Sequence, residues 1–305
     1  MSILCGFIEI FLYICKKSTI KTKKTMRIIN CRLWIVAIVA MFLVGSTSVV
    51  DAKTKKGKNK TTTTRTGKTG KKTQSSNGNN LTFTVNGVKF EMVKVDGGSF
   101  TMSNRVGYDE YKENQVTLDS YYIGQTEVTQ ALWKAVMGEN PSLIKNDKFP
   151  VTDVGYKDCL LFIYKLNELT GKDFRLPTLA ECQFAARGGN KSNGYKYSGG
   201  NDINKVAWYS GNSNGDPQKV ATKAANELGI YDMCGSMSEW CSDNYDDGTR
   251  STSRDVGPGL ARPSAAVYGG NIHSSPEECE IKFMDRYDTD GALIIGLRLA
   301  LCPEK

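Results

Sequence analysis

The segment NELGIYDMCGSMSEWCSD, residues 226–243, is the most informative part of the chain for its architecture. It lies within residues 188–275, which are rich in Gly, Asn, Ser, Asp and Tyr and contain only short apolar runs. This composition predicts a long irregular region. Loops of this length in a compact domain are usually functional, or are held by metal ions or disulfides. We therefore expect the functional site here.

On the N-terminal side of this region, alternating apolar and polar residues predict strands. Residues 81–92 (LTFTVNGVKFEM) contain the two-residue turn Asn86-Gly87, which is a strong signal for a β-hairpin. A second pair of strands is predicted around Gly97-Gly98, with Phe100 and Met102 on one face. Further strands are predicted over Tyr121–Thr126, Lys205–Tyr209, Ala266–Tyr268 and Leu293–Leu301.

Three helices are predicted before the irregular region. The first covers Thr129–Met137, because Thr129 is a suitable N-cap. The second covers Tyr156–Leu169 and ends at Gly171. The third begins after Thr178, where Glu181 completes a capping box. The buried face of the second helix is expected to contain Cys159, Phe162, Ile163, Leu166 and Leu169. Early helices followed by short strands and long loops indicate an α+β class.

The positive charge of the chain lies near its N-terminus. The 305 residues have a formal net charge of +8, but residues 81–305 contain 24 basic and 30 acidic residues, which is −6. A nucleic-acid-binding domain is therefore not expected. The chain has one histidine, His273, so a multi-histidine metal site is excluded. A Ser-His-Asp hydrolase would have to use that residue.

Residues 1–52 are predicted to be an N-terminal extension with an export signal. Met26 is the expected start, followed by basic residues, the apolar run LWIVAIVAMFLVG and small residues before Lys53. The alternative is an uncleaved anchor, although the run is shorter than the roughly 20 residues that span a bilayer. Residues 53–80 lack aliphatic and aromatic side chains and are predicted to be a disordered linker. We expect an exported protein without a stable membrane span after signal cleavage, whose folded domain is 81–305.

An ordered set of motifs resembles the formylglycine-generating enzyme, or sulfatase-modifying factor, family. The motifs include YYIGQTEVTQALW (121–133), TGKDFRLPTLAE (170–181), the 226–243 segment and IGLRLAL (295–301), and the resemblance covers 88–302. It implies the sulfatase-modifying-factor variant of the C-type-lectin-like fold, with short strands, few helices and long loops. The family's oxidase converts a sulfatase cysteine into formylglycine with molecular oxygen.

The resemblance implies a Cu(I) ion held by two thiolates that lie five residues apart. Counted from Gly269-Gly270, these positions are Ser274 and Cys279. A serine hydroxyl cannot replace a thiolate for Cu(I), because it is a hard ligand and about seven pK units too basic. Asn271 and Ile272 also differ from the family's residues. Only Cys279 is therefore retained from the oxidase site.

The resemblance also implies a structural calcium ion in the 226–243 segment. The matching ligands are the side chains of Asp232 and Glu239 and the carbonyl groups of Gly235 and Met237. Carboxylates and carbonyls are suitable ligands for Ca²⁺. The alternative is that Asp232 and Glu239 cap turns or pair with arginine side chains.

Signal cleavage would leave six cysteines, an even number that suggests disulfides in an exported chain and allows fifteen full pairings. Related bacterial domains often have cysteines at the positions of Cys241 and Cys279, so the resemblance implies that this pair is bonded. The alternative is that Cys159 and Cys182 are free thiols that act as small apolar side chains.

The resulting hypothesis is an exported binding or assembly module at the cell envelope that lacks oxidase activity. Its partner is expected to be an envelope protein, a peptide or a glycan, bound by a face that includes Trp208, Tyr209, Trp240 and Tyr245. The alternative is a formylglycine-generating oxidase with a shifted thiol, which would need Cu(I).

Overall fold

The computed structural model describes residues 75–77, 80–105, 110–244, 264–289 and 294–303. The predicted export segment, most of the predicted linker and Tyr245 lie outside these ranges, so predictions about them stay predictions. Within these ranges, no helix has both the length and the apolar character needed to cross a bilayer.

The predicted N-terminal hairpin is confirmed. Strands β2 (Asn80–Val85) and β3 (Val88–Val95) pair in antiparallel fashion, and β1 (Ser75–Asn77) adds to the outer edge of β2. The two turn residues have positive φ angles, 47° at Asn86 and 84° at Gly87. Two positive φ angles define the type of turn that matches the twist of a hairpin.

The second predicted pair forms in a different way. Strand β4 (Gly98–Arg105) does not pair with β3 but with β5 (Tyr111–Leu118), as a separate two-stranded sheet. Phe100 and Met102 are both buried on one face of β4, as the alternation predicted.

The three predicted helices are confirmed, and each has the capping residue that the sequence predicted. Helix α1 (Gln130–Met137) begins at Thr129, whose side chain accepts a hydrogen bond from the Leu132 amide. Helix α2 (Tyr156–Thr170) ends at the left-handed Gly171, and α3 (Leu179–Ala186) has the capping box of Thr178 and Glu181. Leu169 was expected on the buried face of α2 but is 46% exposed.

The sequence expectation for residues 205–209 was wrong. A short helix, α4 (Ile203–Val206), lies there, because the Asp202 side chain accepts a hydrogen bond from the Asn204 amide and starts a helical turn. The remaining strands of the described residues are β6 (Tyr121–Gly124), β7 (Phe174–Arg175), β8 (Ser238–Asn244), β9 (Ser264–Tyr268), β10 (Met284–Asp288), β11 (Ile295–Gly296) and β12 (Ala300–Leu301).

Two larger sheets are formed from these strands. The six-stranded sheet has the order β1-β2-β3-β6-β12-β7, and the four-stranded sheet has the order β10-β9-β8-β11. The predicted continuous strand over 293–301 is therefore interrupted: β11 pairs with β8, whereas β12 lies between β6 and β7. The chain changes sheets at Leu297–Leu299, which carries the fully buried Arg298 into the interior between them.

The apolar core surrounds the 226–243 segment. Trp133 of α1 stacks on Phe162 of α2 with ring centroids 4.9 Å apart. Trp240 of β8 packs edge-on against Tyr156 and donates a hydrogen bond to the Val154 carbonyl. These contacts fix β8 and leave the preceding turn, 231–237, facing Arg298.

Candidate functional site

A buried cluster of three carboxylates and one arginine includes two residues of the 226–243 segment. Its members are Glu127, Asp232, Glu239 and Arg298. Arg298 donates from Nε to both carboxylate oxygens of Glu239 at 2.9 Å and from Nη2 to Oε1 at 2.7 Å. It also donates to the carbonyls of Gly124 and Tyr231, at 2.9 and 3.0 Å. Arg298 thus joins β6, the 231–237 turn and β8 through hydrogen bonds.

Asp232 belongs to the same cluster and is 4% exposed. Its backbone has a positive φ of 58°, and its Oδ2 atom accepts a hydrogen bond from the Ala221 amide. Burial raises the pKa of Asp232 to about 6, despite this hydrogen bond and the positive charge of Arg298. Burial also raises the pKa of Glu239, which Arg298 opposes.

Glu127 is the third carboxylate, and the sequence analysis did not identify it. It is 2% exposed, and neither oxygen accepts a hydrogen bond of good geometry from the described residues, although the Ser236 hydroxyl is close enough to lower its pKa slightly. Burial, followed by repulsion from Asp232, raises the pKa of Glu127 well above its usual value. A single charged residue three positions after the end of strand β6 was the signal that could have identified it.

Of the four predicted calcium ligands, Asp232, Gly235 and Met237 lie in the 231–237 turn, and Glu239 follows in β8. Gly235 has a φ of 74°, and a side chain there would overlap the backbone of Trp208, so this turn requires glycine. Glu239 is bonded to Arg298, which is the alternative that the sequence analysis left open. Among the described residues, no three His, Cys, Asp or Glu side chains are arranged as a metal cage.

The two positions of the oxidase site are both inside the fold. The Ser274 hydroxyl accepts a hydrogen bond from the Asn271 amide at 3.0 Å, and the Ser274 amide donates to the Asn271 carbonyl at 3.0 Å. Ser274 therefore closes a tight turn. Cys279 is fully buried in a small apolar cluster with Cys234, and burial raises the pKa of the Cys279 thiol far above its usual value.

The predicted disulfide between Cys241 and Cys279 is not formed, and all six cysteines of the domain are free thiols. Cys241 instead lies beside Cys182, with a sulfur–sulfur distance of 3.8 Å. Cys159, on the buried face of α2, is a free thiol in the core, as the alternative prediction stated.

The predicted aromatic face is only partly present. Trp240 is fully buried and belongs to the core, because its position on β8 faces α2. Trp208 and Tyr209 are partly exposed, and the Lys223 ammonium lies 3.8 Å from the centre of the Trp208 ring. Among the described residues of the predicted face, Trp208 and Tyr209 stay candidates for contact with a partner.

A cavity of about 240 Å³ lies between β4, the end of α3 and the segment after Cys279. Arg187, Lys196 and Lys282 line it, together with one acidic residue, Glu280. Glu280 pairs with Lys196 at 3.0 Å and with Lys282 at 3.1 Å. The Arg187 guanidinium lies over the Phe100 ring.

Comparison with known proteins decides the family. Residues 81–302 match the model of the sulfatase-modifying factor enzyme 1-like domain. The chain belongs to this family. The family match and its structural relatives confirm the expected fold, the α+β variant of the C-type-lectin-like fold with few helices and many short strands.

Three proteins with different names are similar to this sulfatase-modifying-factor-like chain. It is 31% identical to the chaperone protein LppX of Paenibacillus barcinonensis over 256 residues, which cover 67% of this chain and 86% of that one. It is 27% identical to inactive C-alpha-formylglycine-generating enzyme 2 of Bos taurus, over 50% of this chain and 52% of that one. Treponema denticola variable protein 1 superposes with a TM-score of 0.64 at 27% identity, over 73% of this chain and 99% of that one.

Proposed function

We propose that this protein is an exported binding or assembly module of the sulfatase-modifying-factor family that does not oxidise cysteine. The observation that carries the proposal is the Ser274 hydroxyl, which replaces a thiol and closes a turn with Asn271. The names of two relatives, an inactive formylglycine-generating enzyme and a chaperone, support a role without oxidation. The apolar run before Lys53 supports export.

The donor set around Cys279 does not fit Cu(I). Two thiolates are needed, and the two aligned positions, Ser274 and Cys279, offer one sulfur and a hard hydroxyl. Cys279 is buried among apolar residues that disfavour its thiolate form. We therefore derive no oxidation step for this pair.

A second candidate function is supported by Cys234. Its thiol lies in the same apolar cluster as Cys279, and the negative charge of either thiolate would raise the pKa of the other thiol. Cys234 is thus the shifted thiol that an oxidase would use. Burial raises the pKa of the Cys234 thiol to about 12, and a hydrogen bond that it accepts from the Ser198 amide at 3.3 Å opposes this rise.

We expect no oxidation of a Cys-x-Pro-x-Arg peptide when it is incubated in air with protein that has been exposed to Cu(I). The measurement is mass spectrometry of the peptide, in which conversion of thiol to aldehyde removes about 18 Da from cysteine, since sulfur and two hydrogens are lost and one oxygen is gained. Cys234→Ser and Cys279→Ser are compared with Cys159→Ser, a buried thiol outside this cluster. The protein would be an oxidase instead if the peptide were oxidised by the parent and by Cys159→Ser but not by Cys234→Ser or Cys279→Ser.

We also propose that the carboxylate cluster binds a calcium ion. If all were ionised, Glu127, Asp232 and Glu239 would carry three negative charges against the single positive charge of Arg298, and all four side chains are buried. Uncompensated buried charge is costly, so the cluster must either take up protons or bind a cation. The unpartnered oxygens of Glu127 favour the second outcome. Asp232, Glu127 and the Gly235 and Met237 carbonyls would hold the ion, with Glu239 kept in place by Arg298.

For the binding role, we propose that the cavity lined by Arg187 accepts a carboxylate group of a peptide or glycan. Its three cations and one anion give it a positive charge within a domain whose net charge is −6. No acidic side chain of the described residues forms an ion pair with Arg187. The exposed Tyr195 ring on the same cavity provides an apolar contact beside the charges.

Replacement of Arg187 by glutamate is expected to weaken binding of a carboxylate ligand at least tenfold, about 1.4 kcal/mol. The reason is that a charge-assisted hydrogen bond is exchanged for repulsion. Calorimetric titration with a glutamate-rich peptide and with a glucuronic acid oligosaccharide separates the two sources of carboxylate. Lys205→Glu makes the same charge change on an exposed side chain outside the cavity. Equal affinities for both variants and the parent would exclude this site.

A further inference from the structure

The cysteines at the centre of the domain are distributed over separate parts of the core. Cys182 of α3 and Cys241 of β8 share one apolar cluster, whereas Cys234 and Cys279 belong to a second and Cys159 to a third. Within the described residues, the sulfur atoms of Cys182 and Cys241 lie in contact, 3.8 Å apart.

Both thiols of this pair are fully buried. Burial raises the pKa of Cys182, and the hydrogen bond between the two thiols together with burial raises the pKa of Cys241 well above its usual value. A neutral thiol without access to solvent reacts slowly with an oxidant. Any reaction between them must therefore take place before the core closes.

We propose that Cys182 and Cys241 form a disulfide when the chain folds in an oxidising compartment. Each thiol loses one proton and the pair loses two electrons as the sulfur–sulfur bond forms. An oxidised dithiol oxidoreductase or glutathione disulfide accepts both electrons and both protons and is released as two thiols. The occurrence of the bond in the cell rests on the proposed export, because the cytosol keeps thiols reduced.

The geometry favours this pair over the pair that the family resemblance implied. A disulfide has a sulfur–sulfur distance of about 2.05 Å, so each sulfur of Cys182 and Cys241 has to move by about 0.9 Å. Cys279 lies in a different apolar cluster from Cys241. The bond would tie helix α3 to strand β8, and thereby fix the strand that carries Glu239.

The bond should stabilise the domain because it restricts the unfolded chain. It closes a loop of about 60 residues, for which the chain-entropy estimate corresponds to a rise in Tm of roughly 10 °C in a domain of this size. The folded protein should also resist reduction, because neither sulfur is exposed.

The test refolds the purified full chain in a glutathione redox buffer and maps its peptides without reduction. We expect one linked peptide pair containing Cys182 and Cys241, about 2 Da lighter than the two separate peptides because two hydrogens are lost. We further expect dithiothreitol to cleave it rapidly only in denaturant, with a fall in Tm of roughly 10 °C for the reduced protein.

Variants provide the control. Under oxidising conditions, the rise in Tm that the disulfide provides should be absent to the same extent from Cys182→Ala, Cys241→Ala and the double variant. The change in Tm caused by Cys159→Ala should be the same under oxidising and reducing conditions. A Cys241–Cys279 linkage, or free thiols at 182 and 241 after oxidative refolding, would overturn the proposal. A linkage formed in vitro but absent from protein recovered from cells would leave the bond established and count against export.

Discussion

Replacement of Arg298 by methionine is expected to lower the free energy of unfolding at pH 7 by about 3–5 kcal/mol, the range found when one partner of a buried ion pair is removed. Arg298 makes three hydrogen bonds to Glu239 and two to the carbonyls of Gly124 and Tyr231. Methionine fills part of the volume but leaves these acceptors and three carboxylates without a cation. Domains of this kind are stable by only about 5–15 kcal/mol, so the loss is a large part of the total.

Urea denaturation followed by tryptophan fluorescence measures this loss. The double variant Arg298→Met with Glu239→Gln should recover part of it, because the second change removes one of the unpaired charges. If the single variant does not fold at pH 7, its refolding is measured near pH 5, where Asp232 takes up a proton. A loss below about 1 kcal/mol, the value of an exposed pair, would contradict the assigned role of Arg298.

Without calcium, the free energy of unfolding is expected to fall as pH rises from about 4 to 7, and calcium is expected to restore it. The pKa of Asp232 is about 6 in the folded protein, above its unfolded value, and burial raises that of Glu127 as well. Protonation therefore favours the folded state: this contribution is complete below the unfolded pKa of about 4 and is lost as pH rises through about 6. Without divalent cations, the free energy of unfolding should thus fall between pH 4 and pH 7.

Calcium at 100 times its Kd should restore about 2.7 kcal/mol at pH 7.5, which raises Tm by roughly 5–10 °C. At pH 5 the rise should be much smaller, since protons compete for the same oxygens. Asp232→Asn should remove most of both effects, and asparagine tolerates the left-handed backbone at this position. Asp216→Asn is the control on an exposed carboxylate. If calcium leaves Tm unchanged at every pH, the cluster is balanced by protons alone.

Local chemistry explains which elements were predictable. Thr129, Gly171 and the Thr178–Glu181 pair act within one turn of their own helix, so a single sequence contains all the information needed. The hairpin turn at Asn86-Gly87 is equally local. Residues 205–209 were misassigned because the short apolar alternation there resembles a strand, whereas the cap at Asp202 starts a helix.

Contacts between distant parts of the chain explain what was missed at the site. Arg298 and Glu239 are 59 residues apart, as are Cys182 and Cys241, and no local pattern reveals that either pair meets. The alternative that Glu239 pairs with an arginine was open, but the arginine could not be named. Glu127 was missed because its burial beside Asp232 and Arg298, which are distant in the sequence, is visible only after folding.

The position of β12 has a consequence for the time course of biosynthesis. Residues 300–301 lie between β6 and β7 and join the edge strand β7 to the rest of the six-stranded sheet. At about 5–20 residues per second, the ribosome needs roughly 10–35 s to reach them after β6 has been made. Throughout that interval the edge of β6 that later receives β12 has no partner strand, and such an edge invites pairing with other chains. The edge of β6 is therefore open to pairing with other chains for longer than the locally specified helices and the hairpin need to form.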